Sequence, residues 1–242
     1  DKKGIRYSKA IFEIRDDVKL KDHSTIQYTL STAKNPENIR FTTDGTEPNP
    51  NSEKYLRPLS ITKSQQIKSA YFENGERKSP INSKEFFFSK ATGKPITLVS
   101  EPAEAYSVGG AKSLVDGLMG SIKNHGKSWL GFSGKDCIAT IDLLKNENIS
   151  NIKLNTLDRQ GSWIHLPSEI IIYISQDQKT FKTIKTISQQ EIQKSNGQVD
   201  IQFEKQNARY VKVEIKNAGI IPAGKDGAGH GAWLFVDEIR IF

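Results

Sequence analysis

The sequence predicts an all-β protein built as two successive β-sandwiches, on three observations. Apolar and polar residues alternate along most of the chain, helical stripes of three or more turns are absent, and a polar stretch with Gly and Pro divides the chain near residues 89–95. A length of 242 residues also suits two compact units, at roughly 100–200 residues per domain.

The elements follow in order. Ile26-Gln27-Tyr28-Thr29-Leu30 and Ile39-Arg40-Phe41-Thr42 alternate with period two, and Ile67-Lys68-Ser69-Ala70-Tyr71-Phe72 continues the pattern. β-Branched and aromatic residues in this rhythm describe half-buried strands. Asp44-Gly45 predicts a hairpin turn, since both residues tolerate positive φ. Phe86-Phe87-Phe88 ends a strand, and Ser89-Lys90-Ala91-Thr92-Gly93-Lys94-Pro95 marks the boundary. Beyond it, Ile152-Lys153-Leu154, Glu169-Ile170-Ile171-Ile172-Tyr173-Ile174 and Tyr210-Val211-Lys212-Val213-Glu214-Ile215 read as strands, and Gln189–Lys194 is the best, short, helix candidate. Residues 1–92 suit a small immunoglobulin-like sandwich of six or seven strands, and residues 96–242 have the length for an eight-stranded jelly roll with long loops.

Composition excludes several function classes. No run of 18 apolar residues is present, so no membrane span is expected. Asp1-Lys2-Lys3-Gly4-Ile5-Arg6 lacks both a starting Met and the apolar stretch of a signal peptide, as a mature or trimmed chain would. The single Cys137 cannot form an internal disulfide or a Cys/His zinc framework. The net charge of +7 invites a nucleic-acid reading, but residues 1–95 carry 18 basic and 12 acidic side chains against 17 and 16 in the remainder. That excess is scattered among acids such as Asp16, Asp17 and Asp22. Phosphate tracking needs a coherent basic face, so no nucleic-acid partner is expected.

Catalytic patterns fail one by one. Asp237-Glu238 sits in a strand pattern, where successive side chains point to opposite faces. The pair therefore does not flank a glycosidic bond at the ~5–9.5 Å that hydrolysis requires. Gly126-Lys127-Ser128 resembles the end of a phosphate loop, but Ser121 stands where Gly is needed and no helix follows. His23, His125, His165 and His230 show no metal-pair spacing, and no Gly-x-Ser-x-Gly elbow accompanies them. Asn148-Ile149-Ser150 fits a glycosylation sequon, which decides nothing.

Three clusters remain. They are Asn124-His125-Gly126-Lys127-Ser128-Trp129, Asp158-Arg159-Gln160-Gly161-Ser162-Trp163-Ile164-His165, and Gly224-Lys225-Asp226-Gly227-Ala228-Gly229-His230-Gly231-Ala232-Trp233. Aromatic rings among polar donors are what a neutral polyhydroxylated ligand needs: a ring stacks on the sugar's C–H face while fixed groups bond its hydroxyls. The candidate ligand-binding residues are His125, Trp129, Arg159, Trp163, His165, His230 and Trp233; the tryptophans equally suit core or loop packing. Asp116, in a turn before Gly117, and Glu238 near the chain end offer carboxylates to a cation; an Asx turn explains Asp116 as well.

The second part resembles the coagulation factor 5/8 C-terminal (discoidin-like) domain, which overlaps carbohydrate-binding module family 32. The resemblance runs through Leu114-Val115-Asp116-Gly117, Trp129-Leu130-Gly131-Phe132, Ala139-Thr140-Ile141-Asp142-Leu143 and Trp163-Ile164-His165-Leu166-Pro167-Ser168-Glu169-Ile170. It continues through Ser175-Gln176-Asp177, Ala208-Arg209-Tyr210-Val211-Lys212-Val213 and Ala232-Trp233-Leu234-Phe235-Val236-Asp237-Glu238-Ile239. The first part resembles the C-terminal sandwich of chitobiases and β-hexosaminidases, through Ile39-Arg40-Phe41-Thr42-Thr43-Asp44-Gly45-Thr46-Glu47-Pro48, Tyr55, Pro58 and Ile67-Lys68-Ser69-Ala70. Ser8-Lys9-Ala10-Ile11-Phe12 is similar to the segment leaving the catalytic barrel in glycoside hydrolase family 20.

In this order the two units resemble the C-terminal end of an exported exo-β-N-acetylhexosaminidase of the Bacteroidetes kind. The resemblance implies a non-catalytic piece, because a (β/α)₈ barrel takes ~250 residues of alternating strands and helices and the family's His-x-Gly-Gly-Asp-Glu signature is absent. It implies as partners glycans ending in galactose or N-acetylhexosamine, and the parent's catalytic barrel. A structural brace for that barrel and a cell-surface or protein adhesion module are the rival implications. The family's structural Ca²⁺ would map to the carbonyl of Leu114, the side chain of Asp116, Ser121, the carboxylate of Glu238 and, as a looser match, a carbonyl near Val236. Leu118 departs from the Asp or Asn that many relatives carry after the Gly.

Overall fold

The computed structural model describes residues 9–107 and 109–242. The chain divides into two units, Asp1–Phe87 and Phe88–Phe242, and antiparallel strands dominate both.

The first unit holds β1 (Arg15–Leu20), β2 (Ile26–Ser31), β3 (Ile39–Thr42), β4 (Glu53–Lys54), β5 (Leu59–Ile61), β6 (Gln65–Glu73), β7 (Glu76–Arg77) and β8 (Asn82–Phe86). One sheet runs β1-β2-β5; the other runs β4-β3-β6-β7, with β8 also paired to β6. The alternation seen in sequence becomes burial: Ile26, Tyr28 and Leu30 of β2 and Ile39 and Phe41 of β3 all face inward. Buried Tyr hydroxyls need partners. Tyr55 accepts from the Leu30 amide at 3.0 Å, and Asn82 Nδ2 donates to Tyr28 at 3.2 Å.

Asp44-Gly45 does not close a two-residue hairpin. β3 pairs with β4 in the register Arg40↔Lys54, so the connection spans residues 43–52. Asp44 Oδ1 instead accepts from the Thr46 amide at 3.0 Å, a local Asx turn with Gly45 at φ +79°.

The second unit holds β9 (Ile96–Leu98), β10 (Leu130–Ser133), β11 (Cys137–Thr156), β12 (Glu169–Ser175), β13 (Lys182–Ser188), α1 (Gln189–Lys194), β14 (Gln198–Lys216) and β15 (Trp233–Ile241). The sheet path is β10-β15-β11-β14-β12-β13, with β9 on β11. β11 and β14 are long enough to serve both layers. The first half of β11 pairs with β9 and the end of β14, and its second half with the start of β14 and with β15. Register breaks between Asp142 and Glu147 and between Ile149 and Asn151 make the corner, as bulged strands do when they switch layers. Leu144 takes φ +68° there. The core between the layers is aliphatic, with Leu130, Ile141, Ile152, Ile170, Val213 and Ile241 almost fully enclosed.

α1 is a single capped turn, with Ser188 and Glu191 forming a capping box. The polar segment 89–95 belongs to this second unit, because its backbone is bonded into it. Lys90 N donates to Ile241 O at 2.9 Å, Gly93 N donates to Val115 O at 2.7 Å, and Ala91 joins the core.

Candidate functional site

Three connections meet beside the Trp233 end of β15: residues 115–129 before β10, 157–168 after β11, and 217–232 before β15. The middle one is closed by a bridge between Arg159 and Ile164, with Arg159 N donating to Ile164 O at 2.9 Å. Main-chain bonds then tie it to β15: Trp233 N donates to Trp163 O at 2.9 Å, and His165 N donates to Trp233 O at 3.0 Å. Trp163 sits at the tip with φ 62°, ψ 14°, a left-handed conformation that turns its ring outward.

The Trp163 indole is 37% exposed and stacks on the His230 ring at 5.0 Å with planes 15° apart. His230 comes from the glycine-rich connection, where Gly227 (φ +81°) lies so close that a Cβ there would sit 2.6 Å from the indole. Only glycine fits both the backbone and the ring. Arg159 Nη1 lies 3.1 Å from His125 Nδ1, both at the surface of the same loop cluster. The His125 ring meets the edge of Phe235 at 5.5 Å.

Beneath this surface lies an aromatic cluster that includes Trp129, Leu157, Ile164 and Phe235, with Tyr106 and Trp233 packed against it. Tyr106 meets Trp233 at 5.2 Å and Phe235 at 4.9 Å, both edge to face. Trp129 is only 5% exposed and Trp233 is half-buried. His165 is half-buried, with its Nε2 enclosed and without a hydrogen-bond partner. The seven candidates thus separate. Arg159, Trp163 and His230 are exposed, His125, His165 and Trp233 are half-buried, and Trp129 is buried. Tyr106 and Phe235 were missed by the sequence reading; Phe235 is signalled by its place two residues after Trp233, on the same face of β15.

The candidate cation residues meet elsewhere in the unit. β15 carries a bulge: Lys153 pairs with Arg240 and Asn155 with Asp237, leaving two β15 residues opposite one. Glu238, one of those two, has φ +28°. Strict alternation therefore fails here, and both Asp237 and Glu238 are buried. Their enclosure, rather than opposed side-chain directions, is what keeps a glycosidic bond away from them. Glu238 Oε1 accepts from the Gly117 amide at 3.0 Å, and Oε2 has no hydrogen-bond partner. Asp237 Oδ2 accepts from the Gly120 amide at 2.8 Å, and Asp116 Oδ1 from Leu118 N at 2.8 Å.

Burial first, then the charge of Asp116, pushes Asp237 up to about 7 and Glu238 well above the usual carboxylate range. Leu114 and Val236 are buried beside the cluster and Ser121 is exposed. Among the described residues, no group of three or more His, Cys, Asp or Glu side chains is placed to hold a metal ion by itself. A cation here would need main-chain oxygens as well.

The F5/8 type C domain family model matches residues 95–234, more than half of the chain. The chain belongs to that family. A second model, the chitobiase/beta-hexosaminidase C-terminal domain, matches residues 22–83 of the first unit. No curated protein sequence matches the chain.

Three solved structures are similar to this F5/8 type C chain. A Streptococcus pneumoniae fucose binding module shares 18% identity, covering 71% of this chain and 98% of its own, with a TM-score of 0.46. A Clostridium perfringens module, in complex with GalNAc-β-1,3-galactose, shares 17% identity over 64% of this chain and 99% of its own, at a TM-score of 0.45. Chitosan-binding module 1 of a Paenibacillus sp. IK-5 chitosanase/glucanase shares 18% identity over 64% and 98%, at a TM-score of 0.43. Among the described residues no helix is long and apolar enough to cross a membrane.

Proposed function

We propose that the F5/8 type C unit is a non-catalytic glycan-binding appendage that holds a terminal galactose or N-acetylhexosamine at the 125/159/163/230 loop cluster. One observation carries this reading: the solvent-facing Trp163–His230 stack lies in the same loop cluster as the Arg159–His125 pair. An exposed ring offers a face to sugar C–H groups, and the neighbouring guanidinium and imidazole supply fixed polar contacts for hydroxyls. Trp163 and Arg159 sit on a loop tied down by main-chain bonds to β15, so little ordering entropy opposes their use in binding.

The sequence resemblance supplies the wider setting: an exported exo-β-N-acetylhexosaminidase whose barrel is the partner of both units. Single sites of this kind bind weakly, and a tethered catalytic domain gains residence from them through effective concentration.

Ca²⁺ belongs to the same proposal as a structural ion. An enclosed carboxylate oxygen without a partner, beside two further carboxylates, is costly unless a positive charge is present. Glu238 and Asp116 would hold the ion with the carbonyls of Leu114 and Val236, and Ser121 would complete the set. Bound there, it neutralises the cluster and fastens residues 114–121 to β15. Saturation-transfer NMR with galactose, N-acetylgalactosamine and N-acetylglucosamine at millimolar concentration tests the sugar reading. Transfer to at least one of them is expected, and silence for all three overturns it.

A further inference from the structure

The first unit has an open cavity of about 730 Å³ where its two sheets end. Among the described residues β4 pairs with β3 alone and β5 with β2 alone, so both are edge strands, and residues of both line the space. The chain passes from one edge to the other along its wall, through Leu56, Arg57 and Pro58. An edge strand offers main-chain N–H and C=O groups to any chain that lies beside it. The opposite edges, β1 and β8, are joined instead by Asp16 and Lys84 at 3.0 Å.

Charge and apolar surface mark this cavity. Lys21, Lys54 and Arg57 line it, all exposed, and among the described residues none of the three makes an ion pair. Lys19, Lys34, Arg77, Lys78 and Lys84 of the same unit each pair with an acid. Glu53 is the acid of the lining, which leaves three positive charges against one. A recess walled mainly by one sign of charge concentrates the field and attracts the opposite sign. Leu56 stands among these cations 71% exposed, and Leu59 is half-buried. The aromatic ring of the lining, Phe41, is enclosed, so it offers no free face to a sugar.

We infer that this cavity is a docking site for an extended, acidic segment of a protein partner. The segment's main chain lies along the β5 edge as an added strand, its carboxylates meet Lys21, Lys54 and Arg57, and an aliphatic side chain covers Leu56. Charge complementarity selects an acidic occupant. The edge strand and the exposed leucine select polypeptide over an anionic glycan, which has neither a strand-forming main chain nor aliphatic side chains. Glu53 opposes the segment's charge, so replacing it strengthens the contact. The first unit thereby holds a partner independently of sugar binding by the second.

The test titrates the whole 242-residue protein with a short peptide of alternating glutamate and leucine, followed by proton–nitrogen correlation NMR. Saturable movement of the amide peaks of residues 53–61 is expected at millimolar peptide, with affinity falling severalfold as salt rises from about 0.05 M to about 0.3 M. Lys54→Glu/Arg57→Glu is expected to lower affinity about fivefold to tenfold, and Leu56→Ser about twofold to fivefold. Glu53→Gln is expected to raise it about twofold. Lys182→Glu/Lys185→Glu, the same change in net charge placed in the second unit, is expected to leave it unchanged. All of these side chains are exposed, and melting curves establish that each variant is folded. The inference fails if the glutamate peptide leaves these peaks in place, or if a lysine–leucine peptide moves them equally. It fails also if both double variants weaken binding alike, since net charge alone would then explain it. Movement by a sulfated oligosaccharide but not by the peptide would overturn the protein partner and assign the cavity to an anionic glycan. None of these outcomes bears on the loop-cluster sugar site.

Discussion

Arg159 Nη1 lies 3.1 Å from His125 Nδ1, and because a guanidinium can only donate, the imidazole must accept at that nitrogen. A neutral ring that accepts at Nδ1 carries its proton on Nε2. The pair therefore offers a ligand donors only: the remaining guanidinium N–H groups, and an Nε2–H from a ring whose orientation is fixed.

The Trp163–His230 stack depends on Gly227. Replacing Gly227 with Ala puts a side chain at φ +81°, which costs about 1–2 kcal/mol, and drives a methyl into the indole. The second unit should melt a few degrees lower, and Trp163 fluorescence should shift to the red as the ring leaves its partner. His230→Ala should give the same red shift with little change in melting temperature, because His230 is exposed. An unchanged emission maximum in both variants would contradict the stack.

The buried acids give a pH dependence of definite sign. Asp237, pushed up to about 7 by burial and the Asp116 charge, and Glu238, pushed up likewise, bind protons more tightly folded than unfolded. Asp237's contribution is full below about pH 4 and is lost as pH rises through about 7, and Glu238's is lost as pH rises through its own raised value. In EDTA the second unit's melting temperature should fall between pH 4 and pH 8. Millimolar Ca²⁺ should raise it by several degrees at pH 8 and hardly at all at pH 4, where a proton occupies Glu238. No calcium effect at pH 8 would remove the proposed ion.

Asp142 behaves in the opposite sense. Arg209 Nε and Nη2 reach its two carboxylate oxygens at 2.8 and 2.9 Å, and this pairing holds Asp142 below the usual range. Backbone amides hold Asp177 down to about 2. For both, the contribution is present above about pH 4 and is lost as pH falls through the lowered values. Asp142→Asn should therefore lower the melting temperature by a few degrees at pH 7, and by progressively less as pH falls through the lowered Asp142 value, measured by circular dichroism.

Much of the architecture was legible in sequence because strand formation is local. Alternation placed β2, β3, β12 and the end of β14, and Gln189–Lys194 was readable as the best, short, helix candidate. The bulge at Glu238 was not: it arises from how β15 registers against β11, and no residue type there demands a positive φ. Asp44-Gly45 was misread because an Asx turn and a two-residue hairpin use the same residues. Trp129 and Trp163 look alike in sequence, each among polar neighbours, yet one is enclosed and the other exposed. Their difference comes from tertiary packing on Phe235 and from the left-handed tip of the 159–164 loop. The Trp163–His230 and Arg159–His125 pairs each join separate connections, so only folding reveals them.

Cys137 should be chemically silent. It is fully enclosed, and burial pushes its thiol up to about 12, so thiolate is scarce at neutral pH. A chromogenic disulfide reagent should label none of it in the native protein and one thiol per chain after denaturation. Rapid native labelling would show that this part of the core opens readily.

Sugar recognition by the loop cluster is tested most directly by calorimetric titration of the protein and of the His125→Ala/Arg159→Ala variant with galactose and the two N-acetylhexosamines. The native protein should give saturable heat at millimolar sugar, and the variant should lose at least tenfold in affinity, about 1.4 kcal/mol, while keeping its melting temperature. No heat with the native protein, or equal heat from both, would contradict the account.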